Sequence, residues 1–155
     1  MAELGKKHRV LTTVIDEGYD PAKETGKFKQ ADVVIFQYPV YWFTFPASVK
    51  QYLDDVYAYG QFFGFAEGPY GSGGLMKGKK FMLSSTWNAP SDAFADADGF
   101  FEGMTVDQAQ VGMRKTHQFC GFDELPHFSC HNVIQKPDFE ADRIRFQKHL
   151  QQVFC

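Results

Sequence analysis

Positive charge is not in excess in this chain: 16 Lys and Arg stand against 19 Asp and Glu, for a net charge of −3. That balance removes the electrostatic reason to expect nucleic acid or an anionic lipid surface as a partner. No apolar run approaches the ~20 residues that span a bilayer, and the opening MAELGKKHRV lacks a signal-peptide core, so neither a transmembrane segment nor a leader is expected. Cysteine is scarce. Cys120, Cys130 and Cys155 are odd in number and lack metal or redox spacing, which reads as free thiols in a reducing cytoplasm. Internal repeats and low-complexity linkers are also missing, so residues 1–155 read as one domain, long enough to bury a real core.

What the chain has in quantity is aromatic side chains, 17% of residues, with 17 Phe, more than core filling explains. They concentrate around the stretch Ala31–Tyr59. Asp32–Gln37 is a β-branched and aromatic run of the kind found in strands covered on both faces. Pro39 and Pro46 then bracket a loop, Tyr41-Trp42-Phe43-Thr44-Phe45, with four aromatics in five residues. Pro46 suits the first turn of a helix. Val49, Tyr52, Leu53 and Val56 recur at helical spacing behind it, and Asp54-Asp55 fall on the opposite face.

Elsewhere, Met1–Lys7 reads as the end of a helix, stopped at Gly5, and His8–Ile15 as a β-branched strand. Asp16–Thr25 is a loop, with a short polar helix reaching toward Gln30. Gly60–Gly78 is a long loop holding Phe62, Phe63, Phe65, Tyr70 and the run Gly71-Ser72-Gly73-Gly74. A third strand, Lys79–Ser85, ends in Thr86-Trp87-Asn88-Ala89-Pro90, and an acidic, Phe-bearing segment covers Ser91–Gly103. Val106–Phe119 is expected as one helix stopped by Gly121, Leu125–Val133 as a fourth strand, and Asp138–Phe154 as an amphipathic helix with Ile144, Phe146, His149, Leu150 and Val153 inward. Strands alternating with helices imply a parallel sheet in a three-layer α/β domain.

Ligands of open parallel sheets lie outside the carboxyl ends of the strands, so the loops Pro39–Pro46 and Thr86–Pro90 are the site candidates. Their aromatic and backbone groups suit a planar ring such as a flavin, against the plainer reading of core or interface aromatics. The glycines at 71–74 lack the strand–turn–helix setting of a phosphate loop and read better as a mobile hinge. His127 and His131 share a strand face without an evident third ligand, so no metal is expected. Asp54-Asp55 diverge on a helix and read as solvated, and no nucleophilic triad has local support.

PVYWFTFPASVKQYLDDVYAYG (39–60) followed by YGSGGLMKGKKFMLSSTWNAP (70–90) resembles the flavodoxin-like NAD(P)H quinone reductases, in particular the modulator of drug activity B branch. The likeness extends from about Gly5 to the C-terminus, through DELPHF and the last helix. It implies a flavodoxin-like three-layer α/β/α fold with a parallel sheet. It also implies a homodimer holding FAD, or less often FMN, at the subunit interface. Hydride would pass from NADPH or NADH through the flavin to a quinone. Carried over by motif, cofactor contacts fall on Val40, Tyr41, Trp42, Phe43, Tyr70, Thr86, Trp87, Asn88 and Ala89, and no residue is assigned as catalytic. Family members begin with a strand and phosphate-binding loop that this chain is expected to lack. In the strand order 2-1-3-4-5 that strand is the central one. His8–Ile15 must then pair with Asp32–Gln37, cross to another chain, or leave a gap. The other readings are a non-catalytic flavodoxin-like fragment or binding subunit, and an FMN-dependent azo- or nitroreductase.

Overall fold

The computed structural model of the chain describes residues 3–154. Of the expected N-terminal helix end, Met1 and Ala2 lie outside the described residues, as does the Cys155 thiol, and the described part is one 3-10 turn, Leu4–Lys6. Helix α1 (Pro21–Gln30) starts where the sequence signals it. The Asp20 carboxylate accepts from the Lys23 N–H at 3.0 Å, Pro21 opens the first turn, and Lys27 and Lys29 sit near the negative end.

Strand β1 (Val33–Pro39) leads through the aromatic loop to helix α2 (Ala47–Val56), which buries Val49, Tyr52, Leu53 and Val56 as the periodicity predicts. Strand β2 (Lys80–Thr86) pairs in parallel with β1 over its full length, from Val33 opposite Lys80 to Pro39 opposite Thr86. Phe81, Met82 and Leu83 are wholly buried, as befits a strand covered on both faces. Helices α3 (Val106–Ala109) and α4 (Val111–Phe119) follow, then the short strands β3 (Asp123–Glu124) and β4 (Phe128–Cys130), and finally helix α5 (Phe139–Phe154). Both β3 and β4 run parallel to β2, opposite Lys80-Phe81 and Ser84–Thr86 respectively.

Alternation along β2 sorts the layers. Phe81 and Leu83 face a core built with Phe28, Tyr52, Leu53, Val56, Tyr57, Phe62, Met113 and Phe122, from α1, α2, α4 and the loops between them. Phe128, opposite Ser84, points to the other side, where it meets Phe146 and His149 of α5. The parallel sheet is thus flanked by helices, in a flavodoxin-like fold.

Four expectations need correction. His8–Ile15 forms no strand among the described residues. β-Branched composition makes a strand only where a neighbour pairs with it, and this segment is tied down by side chains instead. The Thr13 hydroxyl donates to Glu24 Oε2 at 2.6 Å, and Lys27 Nζ donates to the Thr12 carbonyl at 3.0 Å. Val106–Phe119 is two helices that meet at Gln110 (φ −95°, ψ 19°), the first opened by a capping box between Thr105 and Gln108. The last strand is interrupted at Leu125-Pro126-His127, because Pro126 has no N–H to offer a ladder. Along α5 only Leu150 is buried, and Ile144 is exposed.

The glycine run is also not a hinge. A Cβ on Gly73 would lie 2.0 Å from the Gly64 carbonyl oxygen, and one on Gly74 would lie 2.4 Å from the Gly121 nitrogen. The Gly64 N–H donates to the Gly73 carbonyl at 2.8 Å. These glycines let backbone segments pack against each other, which is a rigid role.

Candidate flavin site

The parallel register of β1 and β2 brings their two following loops side by side, and the Val40 N–H donates to the Thr86 carbonyl at 2.9 Å. Beyond Val40 the chain reverses in a two-residue turn. Tyr41 N–H donates to the Thr44 carbonyl at 2.8 Å, and Thr44 N–H to the Tyr41 carbonyl at 3.0 Å. The central residues are Trp42 (φ 49°) and Phe43 (φ 63°), both in the left-handed region that glycine and asparagine usually occupy. Holding two bulky aromatics there costs of order 1–3 kcal/mol each, and strain of this kind clusters at ligand sites. The turn lifts Trp42 out to 92% exposure and lays Phe43 against Phe100, ring centroids 5.2 Å apart.

Beneath the turn lies a small, shallow cleft of about 20 Å³. Val40, Phe43, Phe45 and Met113 supply apolar walls, and Thr44 and Gln110 supply polar groups. Its floor is fixed by the buried Tyr38 hydroxyl, which donates to Gln110 Oε1 at 2.7 Å. Burial raises the Tyr38 phenol pKa well above its ordinary value, so this hydroxyl stays protonated. Helix α4 starts at Val111 beside the cleft with no side-chain cap on its first turn. Sequence reasoning missed Tyr38, Gln110 and Met113. No local signal marks Gln110, which sits among other polar residues in TVDQAQVGMRK (105–115).

The predicted contact residues divide. Val40, Tyr41, Trp42, Phe43, Thr86, Asn88 and Ala89 come together at the strand ends, with Tyr41, Trp42, Phe43 and Asn88 exposed. Trp87 is buried in a small core and also borders the cleft. It is 2% exposed, its Nε1–H donates to Ser85 Oγ at 2.9 Å, and it packs edge-on against Phe94 and Phe101. Its N–H donates to the Cys130 carbonyl and its carbonyl accepts from Val133. An aromatic at a strand end can point outward or inward, and here the second small core, Trp87–Phe94–Phe101, draws it in. Tyr70 is 97% exposed and rests on Phe119 at the far end of α4, away from both loops.

A flat ring fits this surface in part. Apolar walls, free-standing aromatics and an amide at the floor suit it, but the cavity of about 20 Å³ has room for little more than a water molecule and lies far below the roughly 300–1,000 Å³ of sites that enclose a ligand. A ring would therefore rest on the outer face of the two loops, with its other side open. His131 spends both ring nitrogens on neighbours within the chain, His127 accepts at Nδ1 from the Leu83 N–H, and no group of three metal-ligating side chains comes together among the described residues.

Residues 4–153 match the family described as flavodoxin-like fold. The chain is 42% identical to the NADPH:quinone oxidoreductase MdaB of Haemophilus influenzae over 157 residues, 95% of this chain and 81% of that protein. Among solved structures, the general stress protein 14 of Treponema denticola, in complex with FMN, superposes with a TM-score of 0.65 at 29% identity, over 87% of this chain and 70% of that one. An NADPH-quinone reductase from P. pentosaceus gives 0.72 at 21% identity, over 98% and 84%, which speaks to the fold alone. With the strand-end loops and parallel register already in place, these likenesses make the chain a member of the flavodoxin-like NAD(P)H quinone reductase family.

Proposed function

We propose that this protein is a flavin-dependent NAD(P)H:quinone oxidoreductase whose ring site is the junction of the 39–46 and 86–90 loops. The observation that carries the reading is the strained Trp42-Phe43 turn at the carboxyl ends of paired parallel strands, which sets Phe43 on the wall of a small cleft and leaves Trp42 standing free beside it. The relationship to NADPH:quinone oxidoreductase MdaB supports the reaction class. FAD is the proposed flavin, with FMN, the ligand of the Treponema relative, as the alternative that cofactor extraction and mass measurement would reveal.

A flavin held here would supply two-electron chemistry between NAD(P)H and a quinone. The chain's own residues bind and orient. Phe43, Phe45 and Val40 give one face an apolar wall, Gln110 fixes the floor through Tyr38, and Asn88 presents an exposed side-chain amide on the second loop. No side chain in the cleft is assigned as a proton donor, because the Tyr38 hydroxyl is already committed to Gln110.

The open side of the cleft supports a homodimer. Trp42 and Phe100 beside the cleft, and Phe65 and Tyr70 elsewhere, are large apolar groups left to solvent by the single chain, and such groups are often covered by a partner. In such a dimer Tyr70 would serve the partner's site. A single domain over 1–155 belongs to the same reading, as does a cytoplasmic location, supported by Cys120 and Cys130 being free thiols. Among the described residues no helix is long and apolar enough to cross a membrane.

NADPH- and NADH-dependent reduction of a quinone such as menadione, with FAD or FMN supplied, tests the function. Turnover that requires flavin is expected. A flavin-loaded protein that reduces no quinone with either nucleotide would refute it.

A further inference from the structure

Behind the second loop stands a pair of polar side chains that the flavin reading does not use. Ser129 Oγ and His131 Nε2 are 2.9 Å apart, and His131 Nδ1 lies 3.1 Å from the Ala89 carbonyl oxygen. A carbonyl can only accept, so Nδ1 carries the proton. In a neutral ring Nε2 then accepts from the Ser129 hydroxyl. Burial keeps the imidazole pKa below its ordinary value, which favours that neutral ring. The ring is also braced edge-on by Phe94, centroids 5.5 Å apart.

This pair is anchored from the opposite side of the sheet. The Ser129 carbonyl accepts from Arg145 Nη2 of α5 at 2.7 Å, and the Arg145 guanidinium lies 5.2 Å above the Phe128 ring. The contacts thus run from α5 through Ser129 and His131 to Ala89. On the loop itself, Trp87 is held at both ends of its peptide by Cys130 and Val133. The Ala89 carbonyl has one other partner, the Asn132 N–H, at a long 3.5 Å. Asn88, exposed between Trp87 and Ala89, therefore takes its orientation from a residue clamped on one side and a carbonyl held by His131 on the other.

We propose that His131 is a positioning residue for the Thr86–Pro90 loop, holding the Ala89 carbonyl so that Asn88 and its neighbouring peptides are set for the flavin ring. The proposal rests on the reading of that loop as part of the flavin site. Groups that orient a ligand-binding backbone act by preorganisation, so losing one weakens binding without removing any ligand contact.

The test compares wild type with His131→Phe, which keeps the ring against Phe94 but loses both polar contacts. His131→Asn serves as the conservative variant, since it retains an amide N–H near the position of Nδ1. Two readouts are used: FAD and FMN dissociation constants from fluorescence quenching, and hydrogen exchange of the Trp87 and Val133 amides in flavin-free protein. His131→Phe is expected to weaken flavin binding about tenfold, the scale of one well-placed hydrogen bond, and to speed exchange at both amides. His131→Asn is expected to restore both to near wild type. Should His131→Phe fail to fold, Ser129→Ala removes only the hydroxyl that orients the ring and should weaken binding about threefold. Unchanged dissociation constants in a folded variant, beside a wild type that binds flavin, would overturn the positioning role alone. A wild type that binds neither flavin would overturn the reading of the loop, and the role of His131 with it.

Discussion

The backbone N–H of Leu83 donates to Nδ1 of His127 at 3.1 Å, so a side chain stands where a neighbouring strand would normally offer a carbonyl. β3 and β4 flank this point on the same partner strand, and the interruption at Pro126 is what leaves the Leu83 donor without a ladder bond. Nε2 approaches Glu124 Oε1 at 3.0 Å without hydrogen-bond alignment.

His127→Phe would keep the ring volume and leave the Leu83 N–H buried and unsatisfied, at a cost of about 1–3 kcal/mol. His127→Asn, with an acceptor of similar reach, should recover part of that loss. Urea unfolding of the three proteins at neutral pH measures both.

Acid should weaken the fold through His117. Its ring is fully buried and stacked on Phe81 with centroids 4.6 Å apart, and its Nδ1–H donates to the Met113 carbonyl at 2.7 Å. Burial pushes its pKa down from 6.5 to about 4. Between those values the unfolded chain binds a proton that the folded chain refuses, so stability falls as pH drops from about 6.5 to about 4, by about 3 kcal/mol in all. His127 and His131 are shifted in the same direction by burial and steepen the loss. His117→Leu should flatten the curve of urea midpoint against pH in that window. A slope unchanged by the substitution would contradict this assignment.

The glycine run separates a hinge from a packed crossing. Gly71 (φ +91°) has open space around its would-be Cβ, so Gly71→Ala should cost only the backbone strain, about 1–2 kcal/mol. Gly74→Ala drives a methyl into the Cys120–Gly121 backbone and should cost roughly 3 kcal/mol or more. Equal, small effects on thermal unfolding would restore the hinge.

How much of this was legible depended on whether a local pattern met a neighbour that enforced it. Asp32–Gln37, Lys79–Ser85 and the inner face of α2 were readable because strand and helix periodicities there coincide with real burial. His8–Ile15 carried an equally good strand composition, but no pairing neighbour stands beside it among the described residues. The break falls at Gln110, itself a good helix former, whose side chain is held by the buried bond from Tyr38 seventy-two residues away, a contact that local sequence does not show. At the site, sequence placed the two loops correctly but could not decide which way Trp87 turned. Nor could it show that Trp42 and Phe43 occupy left-handed turn positions normally marked by asparagine or glycine.

The proposed function stands on flavin binding at the Trp42-Phe43 turn, which a titration of the purified protein with FAD and with FMN, followed by flavin fluorescence, measures. The wild type should quench one of the two, and Phe43→Ala should weaken that binding by about tenfold or more through loss of the apolar wall. Phe139→Ala, which trims an exposed ring on α5, should leave it unchanged. A wild type that quenches neither flavin, or a Phe43→Ala variant that binds as tightly as the wild type, would contradict the claim.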